Sequence, residues 1–274
     1  MSIKTYLIRG DCHGNFTWLE NLKDKYEPEK TAIIILGDAG LNFYLTKTDD
    51  KIKKSVEAKG YYLYCVRGNH EARPKDVPNM KILWDDDIMG PVYYQEKYPH
   101  IRYFFDFYNY VIDGNNVLVI GGAYSVDKYY RLTRFGLSEE DNNPKITGWF
   151  NNEQLTKEEM TLCSTWYKNA KFDFVFTHTC PYDWEPTDLF LDGVDQSTVD
   201  NTMEKWLMEL RDNLASWGVW CWGHFHDDRL ERPYAEMYFN DIEELNNIKT
   251  RWQNYKDKNE LEWWLKKSPN FYLT

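Results

Sequence analysis

Tyr61-Tyr62-Leu63-Tyr64-Cys65-Val66-Arg67-Gly68-Asn69-His70-Glu71 is the stretch on which the fold turns. Its first six residues are apolar and aromatic without a break, the pattern of a strand buried on both faces. Gly68 then lets the backbone turn without a Cβ penalty. Around that turn stand a guanidinium, an amide and an imidazole, at the carboxyl end of the strand, which in an open α/β sheet is the edge where ligands bind. Asn69 and His70 side by side suit a metal ligand and an acid, although a lone histidine fits a hydrogen-bonded niche equally well.

The same pattern recurs along the chain. Residues 3–8 read as a strand ending at Gly10-Asp11-Cys12-His13-Gly14, and residues 32–36 as a second ending at Gly37-Asp38. Between them Phe16, Leu19 and Leu22 recur at helical spacing, with Pro28 closing the region, and residues 49–59 form a polar surface helix stopped by Gly60. Strand and helix therefore alternate, the signature of an α/β fold.

Residues 72–110 loosen into proline, acidic and aromatic residues, including Asp85-Asp86-Asp87 and Gly90-Pro91. They read as a long insertion with short strands that walls a site, the aspartates fitting a solvated loop at least as well. Residues 108–112 and 117–120, joined by Asp113-Gly114-Asn115-Asn116, give a hairpin signal. Gly121-Gly122-Ala123-Tyr124-Ser125 follows, then Lys128, Arg131 and Arg134, cations that can meet an anionic substrate or solvent. Tyr124 and Arg131 are the candidate substrate contacts.

Thr156 and Glu159 make a capping box, so a helix is expected over 156–169. Residues 172–176 form a strand ending at Thr177-His178. Met203, Trp206, Leu207, Leu210, Leu214 and Trp217 mark an amphipathic helix stopped by Gly218. Residues 219–222 form the next strand, ending at Gly223-His224-Phe225-His226, and residues 241–274 form a charged, helical C-terminal extension packed on the outside. No repeat or composition break divides the chain, so residues 1–274 are expected to form one domain.

With 42% apolar and 17% aromatic residues over 274 positions, the chain can bury a sizeable core. A formal charge of −11 argues against broad affinity for long nucleic acids or membrane surfaces. Cys12, Cys65, Cys163, Cys180 and Cys221 are odd in number and scattered, which points to buried thiols in a reducing compartment. Residues 1–10 lack a signal-peptide pattern and no run is long enough to span a membrane, so a cytoplasmic location is expected.

The histidines carry the functional argument. Of six, His13, His70, His178, His224 and His226 each lie just after an expected buried strand; only His100 does not. Asp11, Asp38 and Asn69 stand at matching strand ends, so these side chains converge on one edge if the strands share a sheet or a packed pair of sheets. Carboxylate, amide and imidazole form a mixed ligand set suited to first-row divalent metals. One metal takes about four to six ligands; setting His70 aside, seven candidates suit two ions sharing one carboxylate.

Taken in order, Asp11-Cys12-His13, Gly37-Asp38, Gly68-Asn69-His70-Glu71, Thr177-His178 and Gly223-His224-Phe225-His226 resemble the five signature blocks of the calcineurin-like metallophosphoesterases. The resemblance implies a four-layer αββα sandwich with a binuclear centre at the strand ends. It implies that Asp11, His13 and His226 bind one ion, that Asn69, His178 and His224 bind the other, and that Asp38 bridges them. It also implies His70 as the leaving-group acid in hydrolysis of a phosphomonoester or phosphodiester by a bridging hydroxide. Arg67 would neutralise a phosphate oxygen or form a structural ion pair. Mn, Fe, Zn and Ni all tolerate this ligand set, Mn being the expected occupant.

The protein Ser/Thr phosphatases of the superfamily extend the second block with Val-Asp-Arg-Gly, whereas Asp38 is followed here by Ala39-Gly40-Leu41-Asn42-Phe43. That departure lowers the protein-phosphatase reading. The segment from Gly121 to Arg131 resembles one found in bacterial and phage-type members. The leading expectation is an enzyme acting on a small phosphoester. The alternatives are a nuclease and a non-catalytic scaffold, though a scaffold should have lost ligands or the acid, and no block is incomplete.

Overall fold

The computed structural model describes residues 3–190 and 192–256. In chain order the strands are β1 (Thr5–Arg9), β2 (Thr31–Ile35), β3 (Tyr62–Cys65), β4 (Lys81–Asp85), β5 (Gly90–Gln95), β6 (Tyr98–Phe104), β7 (Tyr108–Ile112), β8 (Asn115–Ile120), β9 (Lys171–Thr177), β10 (Ser216–Trp222), β11 (Arg229–Arg232), β12 (Ala235–Met237) and β13 (Glu243–Glu244). The helices are α1 (Lys47–Glu57), α2 (Lys128–Arg134), α3 (Pro144–Thr147), α4 (Lys157–Tyr167), α5 (Thr202–Asn213) and α6 (Leu245–Lys256).

Two sheets result, in the orders β13-β1-β2-β3-β6-β5-β4 and β11-β12-β10-β9-β8-β7. The central strands β1, β2, β3 and β6 run parallel, as do β8, β9, β10 and β12, with antiparallel strands at the edges. Because successive side chains point to opposite faces, each apolar run feeds two cores. Ile8, Ile34 and Tyr64 meet Val117, Val119, Phe174, Phe176 and Cys221 between the sheets. Leu7, Ile33, Ile35 and Leu63 face outward onto Leu19, Leu22 and Val56 of α1. Leu118, Val175, Trp220 and Trp222 of the second sheet face outward onto Met160 of α4 and Met203, Leu207 and Leu210 of α5. This is the four-layer αββα sandwich.

The capping box of α4 forms with both reciprocal bonds in place. The turn between β7 and β8 has positive φ at Asp113 (49°) and Gly114 (73°), as a two-residue hairpin requires. Other expectations are corrected. Phe16, Leu19 and Leu22 lie on or beside a 3-10 helix, Thr17–Leu22, not an α-helix. The helix expected to reach Trp217 ends at Asn213, and both Trp217 and Gly218 lie within β10, where a Cβ on Gly218 would sit 2.3 Å from the Asp173 carbonyl oxygen.

Residues 72–110 are regular. They supply β4, β5 and β6 to the first sheet and β7 to the second, because Val92, Ile101, Tyr103 and Phe104 find buried partners on sheet faces. The described part of the C-terminal extension packs inward, its Leu245, Ile248, Trp252 and Tyr255 joining the inter-sheet core. The rest of that extension, residues 257–274, lies outside the described residues. Among the described residues no helix is long and apolar enough to cross a membrane.

Candidate metal centre

Each parallel strand that carries a signature block delivers it to the same edge. Asp11 follows β1, Asp38 follows β2, and Asn69 and His70 follow β3; from the facing sheet His178 follows β9, and His224 and His226 follow β10. The turns are tied to one another across that edge. The amides of Cys12 and His13 donate to the Asp38 carbonyl at 3.0 and 2.8 Å, Gly122 donates to the Arg67 carbonyl at 2.7 Å, and Gly223 donates to that of His178 at 3.0 Å.

Holding these side chains at one point requires unusual backbone. His13, Asp38, His224 and His226 all have left-handed φ, at 45°, 46°, 69° and 58°. Each such residue costs about 1–2 kcal/mol, while each large apolar side chain in the cores contributes about 1.5–3 kcal/mol. The cores therefore carry the strain, which in the cluster falls on the residues that bring its side chains together. Close approach is built in as well: a Cβ on Gly68 would lie 1.9 Å from Asp38 Oδ1, and one on Gly223 2.3 Å from Asp11 Oδ1.

The two carboxylates are used alike. Asp38 Oδ1 accepts the His70 amide at 2.8 Å, and Asp11 Oδ1 accepts the His224 amide at 2.9 Å. That leaves both Oδ2 atoms facing imidazoles. Asp11 Oδ2 lies 3.2 Å from His226 Nε2 and 3.6 Å from His13 Nε2, and these two nitrogens are 2.9 Å apart. Asp38 Oδ2 lies 3.9 Å from His13 Nδ1 and 3.7 Å from His178 Nε2. Two groups, Asp11–His13–His226 and Asp11–Asp38–His178, have ligand atoms close enough together to share a cation.

The contact between His178 and Asn69 tests whether a metal fits. His178 Nδ1 lies 2.9 Å from the Leu36 carbonyl, which can only accept, so Nδ1 carries the proton. In a neutral imidazole Nε2 is then a bare acceptor, 2.8 Å from Asn69 Oδ1. Asn69 is oriented in turn: its Nδ2 donates to Ser125 Oγ at 2.8 Å, and Ser125 donates to Glu153 at 2.6 Å. Two acceptors thus face each other at hydrogen-bond distance, an arrangement that a cation bound by both relieves. The donor set fits a divalent metal.

Electrostatics agree with the packing. Burial pushes the Asp11 carboxyl up, but the surrounding imidazoles of His178, His226 and His13, whenever they carry a proton, outweigh it and hold Asp11 below the usual carboxylate range. The hydrogen bond to Asp11 raises His226, while burial holds His224 well below the ordinary imidazole value. His70 is lowered by burial, with Asp38 and Asp127 pulling the other way. Its Nδ1 is buried without a hydrogen-bond partner among the described residues. Beneath the cluster Glu71 is fully buried and its carboxyl is pushed up to about 8.

The structure brings Asp11, His13, Asp38, Asn69, His178, His224 and His226 together, with His70 at their side. It does not bring Arg67. That guanidinium is 1% exposed; its Nε bonds Asp106 Oδ2 at 3.1 Å, and its terminal nitrogens bond the carbonyls of Glu153 at 2.5 Å and Gly121 at 3.0 Å. Of the two roles expected for Arg67, the contacts are those of the structural ion pair. Arg131 is held by Asp127 at 2.7 Å and the Gly148 carbonyl at 3.2 Å and does not line the cleft, whereas Tyr124 does.

That cleft, about 300 Å³, opens from Asp38, Asn69, His70, His224 and His226. Its far wall is built from Glu185, Leu189, Phe190, Val194, Gln196, Val199, Asn201 and Glu204; among the described residues nothing from 72–110 lines it, so the expected insertion wall is corrected. Sequence reasoning missed Ser125, Glu153, Glu185 and Glu204. Ser125 carried a signal, since it sits after a strand in the position of the other blocks. Glu204 carried a weaker one, a carboxyl between Met203 and Trp206 on the buried side of α5.

Residues 4–228 match the family model of calcineurin-like phosphoesterases. Among curated proteins none matches the chain. Among solved structures, a phosphopantetheinyl hydrolase from Mycobacterium tuberculosis is similar at 12% identity and TM-score 0.40, over 94% of each chain. At that level the likeness bears on neither substrate nor mechanism.

Proposed function

Because the chain belongs to the calcineurin-like phosphoesterases, which makes it a phosphoester hydrolase by family, we propose that it is a binuclear-metal enzyme acting on a small phosphomonoester or phosphodiester. The observation that carries this reading is the pair of facing acceptors, His178 Nε2 and Asn69 Oδ1, 2.8 Å apart beside two buried carboxylates. Asp11, His13 and His226 would hold one ion, Asn69, His178 and His224 the other, with Asp38 between. Bound there, two divalent cations supply hydroxide from water near neutral pH and positive charge for the phosphoryl oxygens.

The remaining work falls to the protein. Asp38 and Asp11 each keep one oxygen on a backbone amide, which fixes the other toward the imidazoles. His70 stands in the cleft with its amide on Asp38, so its ring is positioned to give a proton to the departing oxygen. A cleft of about 300 Å³, lined among the described residues by no lysine or arginine, supports a small substrate over a polynucleotide.

The test is hydrolysis of p-nitrophenyl phosphate and bis-p-nitrophenyl phosphate by chelated protein reloaded with Mn²⁺, beside an Asp38→Asn control. Turnover of either ester that vanishes in the control supports the reading, and which ester is cleaved assigns monoesterase or diesterase. Silence on both with two ions bound overturns it for simple esters and favours the scaffold.

A further inference from the structure

Of the four outer strands of the two sheets, β13 is a pair of glutamates, β11 alternates charge as Arg229-Leu230-Glu231-Arg232, and β7 gives its Val111 amide to the Ile88 carbonyl at 3.0 Å. β4 is unlike them. It pairs β5 on one side, and among the described residues no strand pairs its other side. Its middle residues Ile82, Leu83 and Trp84 are 63%, 37% and 53% exposed. Successive side chains point to opposite faces, so the strand shows apolar groups on both, beside an open row of backbone donors and acceptors. An uncovered apolar edge of this kind is a template for another strand.

We propose that the strand received there is β4 of a second copy of this chain, antiparallel about a two-fold axis through Leu83. The order of residues makes β4 complementary to itself. Lys81 opens it and Asp85-Asp86-Asp87 follow its apolar centre, so in an antiparallel pair the cationic end of each copy meets the acidic end of the other. Lys81 is half-exposed and meets Glu96 at 2.5 Å, which leaves its ammonium with donors to spare. Asp86 is exposed, whereas Asp85 is taken by the Tyr64 hydroxyl at 2.7 Å and by Arg102. The register follows from the pleat. A continuous sheet needs facing residues on the same side, which places the axis on a residue rather than between two. Only Leu83 in that place matches the whole apolar centre, Leu83 against Leu83 and each Ile82 against the Trp84 of the other copy. No residue of β4 lines the cleft, so both clefts stay open in the pair. Repulsion between two chains of charge −11 and the small area of two five-residue strands hold the dissociation constant to about the micromolar range.

The experiment is sedimentation equilibrium of the full chain between about 1 and 100 μM. A monomer–dimer equilibrium is expected, and Trp84→Ala, which truncates the largest exposed side chain of the strand, should raise the dissociation constant by about tenfold or more. A wild type that stays monomeric at about 100 μM, or a dimer that Trp84→Ala leaves unchanged, overturns the proposal. Disulfide trapping reads the register. Facing residues of antiparallel strands have Cα atoms about 4.5–5.5 Å apart, within the span of a disulfide, and the native cysteines are all buried. Leu83→Cys should therefore cross-link two copies under mild oxidation. Lys81→Cys, which would stand opposite Asp85 and out of reach of its own counterpart, should not. Equal cross-linking of the two variants, or none in Leu83→Cys, overturns the antiparallel pairing.

Discussion

His178 and Asn69 stand on different sheets, one after β9 and the other after β3, yet His178 Nε2 lies 2.8 Å from Asn69 Oδ1. The two sheets thus bring a pair of acceptors face to face at their carboxyl edges, and the consequences of that meeting can be measured.

Asp38 contributes its free Oδ2 toward both His13 and His178. Asp38→Asn should lower the bound metal from two equivalents and reduce turnover by roughly 100-fold or more. Metal analysis after gel filtration, beside initial rates, checks both. Full turnover with two ions retained would remove Asp38 from the bridging position.

His70 donates its backbone amide to Asp38, and its ring lies beside that of His13 with centroids 5.9 Å apart. His70→Ala should keep both ions while turnover falls by about 10²–10⁴-fold, more for alkyl esters than for p-nitrophenyl esters, because a poor leaving group needs the proton most. Equal loss on the two ester classes would sink the acid role.

Arg67 is predicted to act on stability. Arg67→Ala leaves the buried carbonyls of Glu153 and Gly121 and one oxygen of the partly exposed Asp106 without their donors, at a cost of about 1–3 kcal/mol for each buried group left unpaired. Urea denaturation should show that loss while the folded fraction keeps its KM. A large rise in KM at unchanged stability would restore the phosphate-binding role.

Ser125 links Asn69 to Glu153 and so fixes which end of the amide faces His178. Ser125→Ala frees that amide to rotate. Affinity for the more weakly held ion should fall by about 10–100-fold, read by metal titration. Unchanged affinity would show that Asn69 needs no such support.

Glu204 makes stability depend on pH. Its carboxyl titrates near 4.5 when exposed and at about 8 in the fold, because burial disfavours the charge. Between those values the unfolded chain has lost a proton that the folded chain keeps, so this group lowers stability as pH rises from about 4.5 to 8, and the loss is complete above that. Glu204→Gln removes the titration. Between pH 5 and 8 the wild type should lose about 1–3 kcal/mol more stability than the variant, measured by denaturant titration at each pH. Parallel pH profiles would contradict the raised carboxyl.

The sequence by itself determined the strands that carry the signature blocks, the capped helix α4, and the place of the site at their ends. Apolar runs closed by glycine and a polar residue are local signals, and in parallel sheets the ends of such runs necessarily share an edge. That is why histidines scattered from position 13 to position 226 were legible as one cluster. Only the tertiary structure decided matters that depend on partners far along the chain. Arg67 became structural because Asp106 and the Glu153 carbonyl, 39 and 86 residues away, meet its guanidinium first. Residues 72–110 extended the sheets because free strand edges were there to receive them, and α6 turned inward because its apolar side found the open end of the inter-sheet core. The raised carboxyl of Glu204 could be recognised only once α5 had been laid against the second sheet, since burial is a property of the assembled fold.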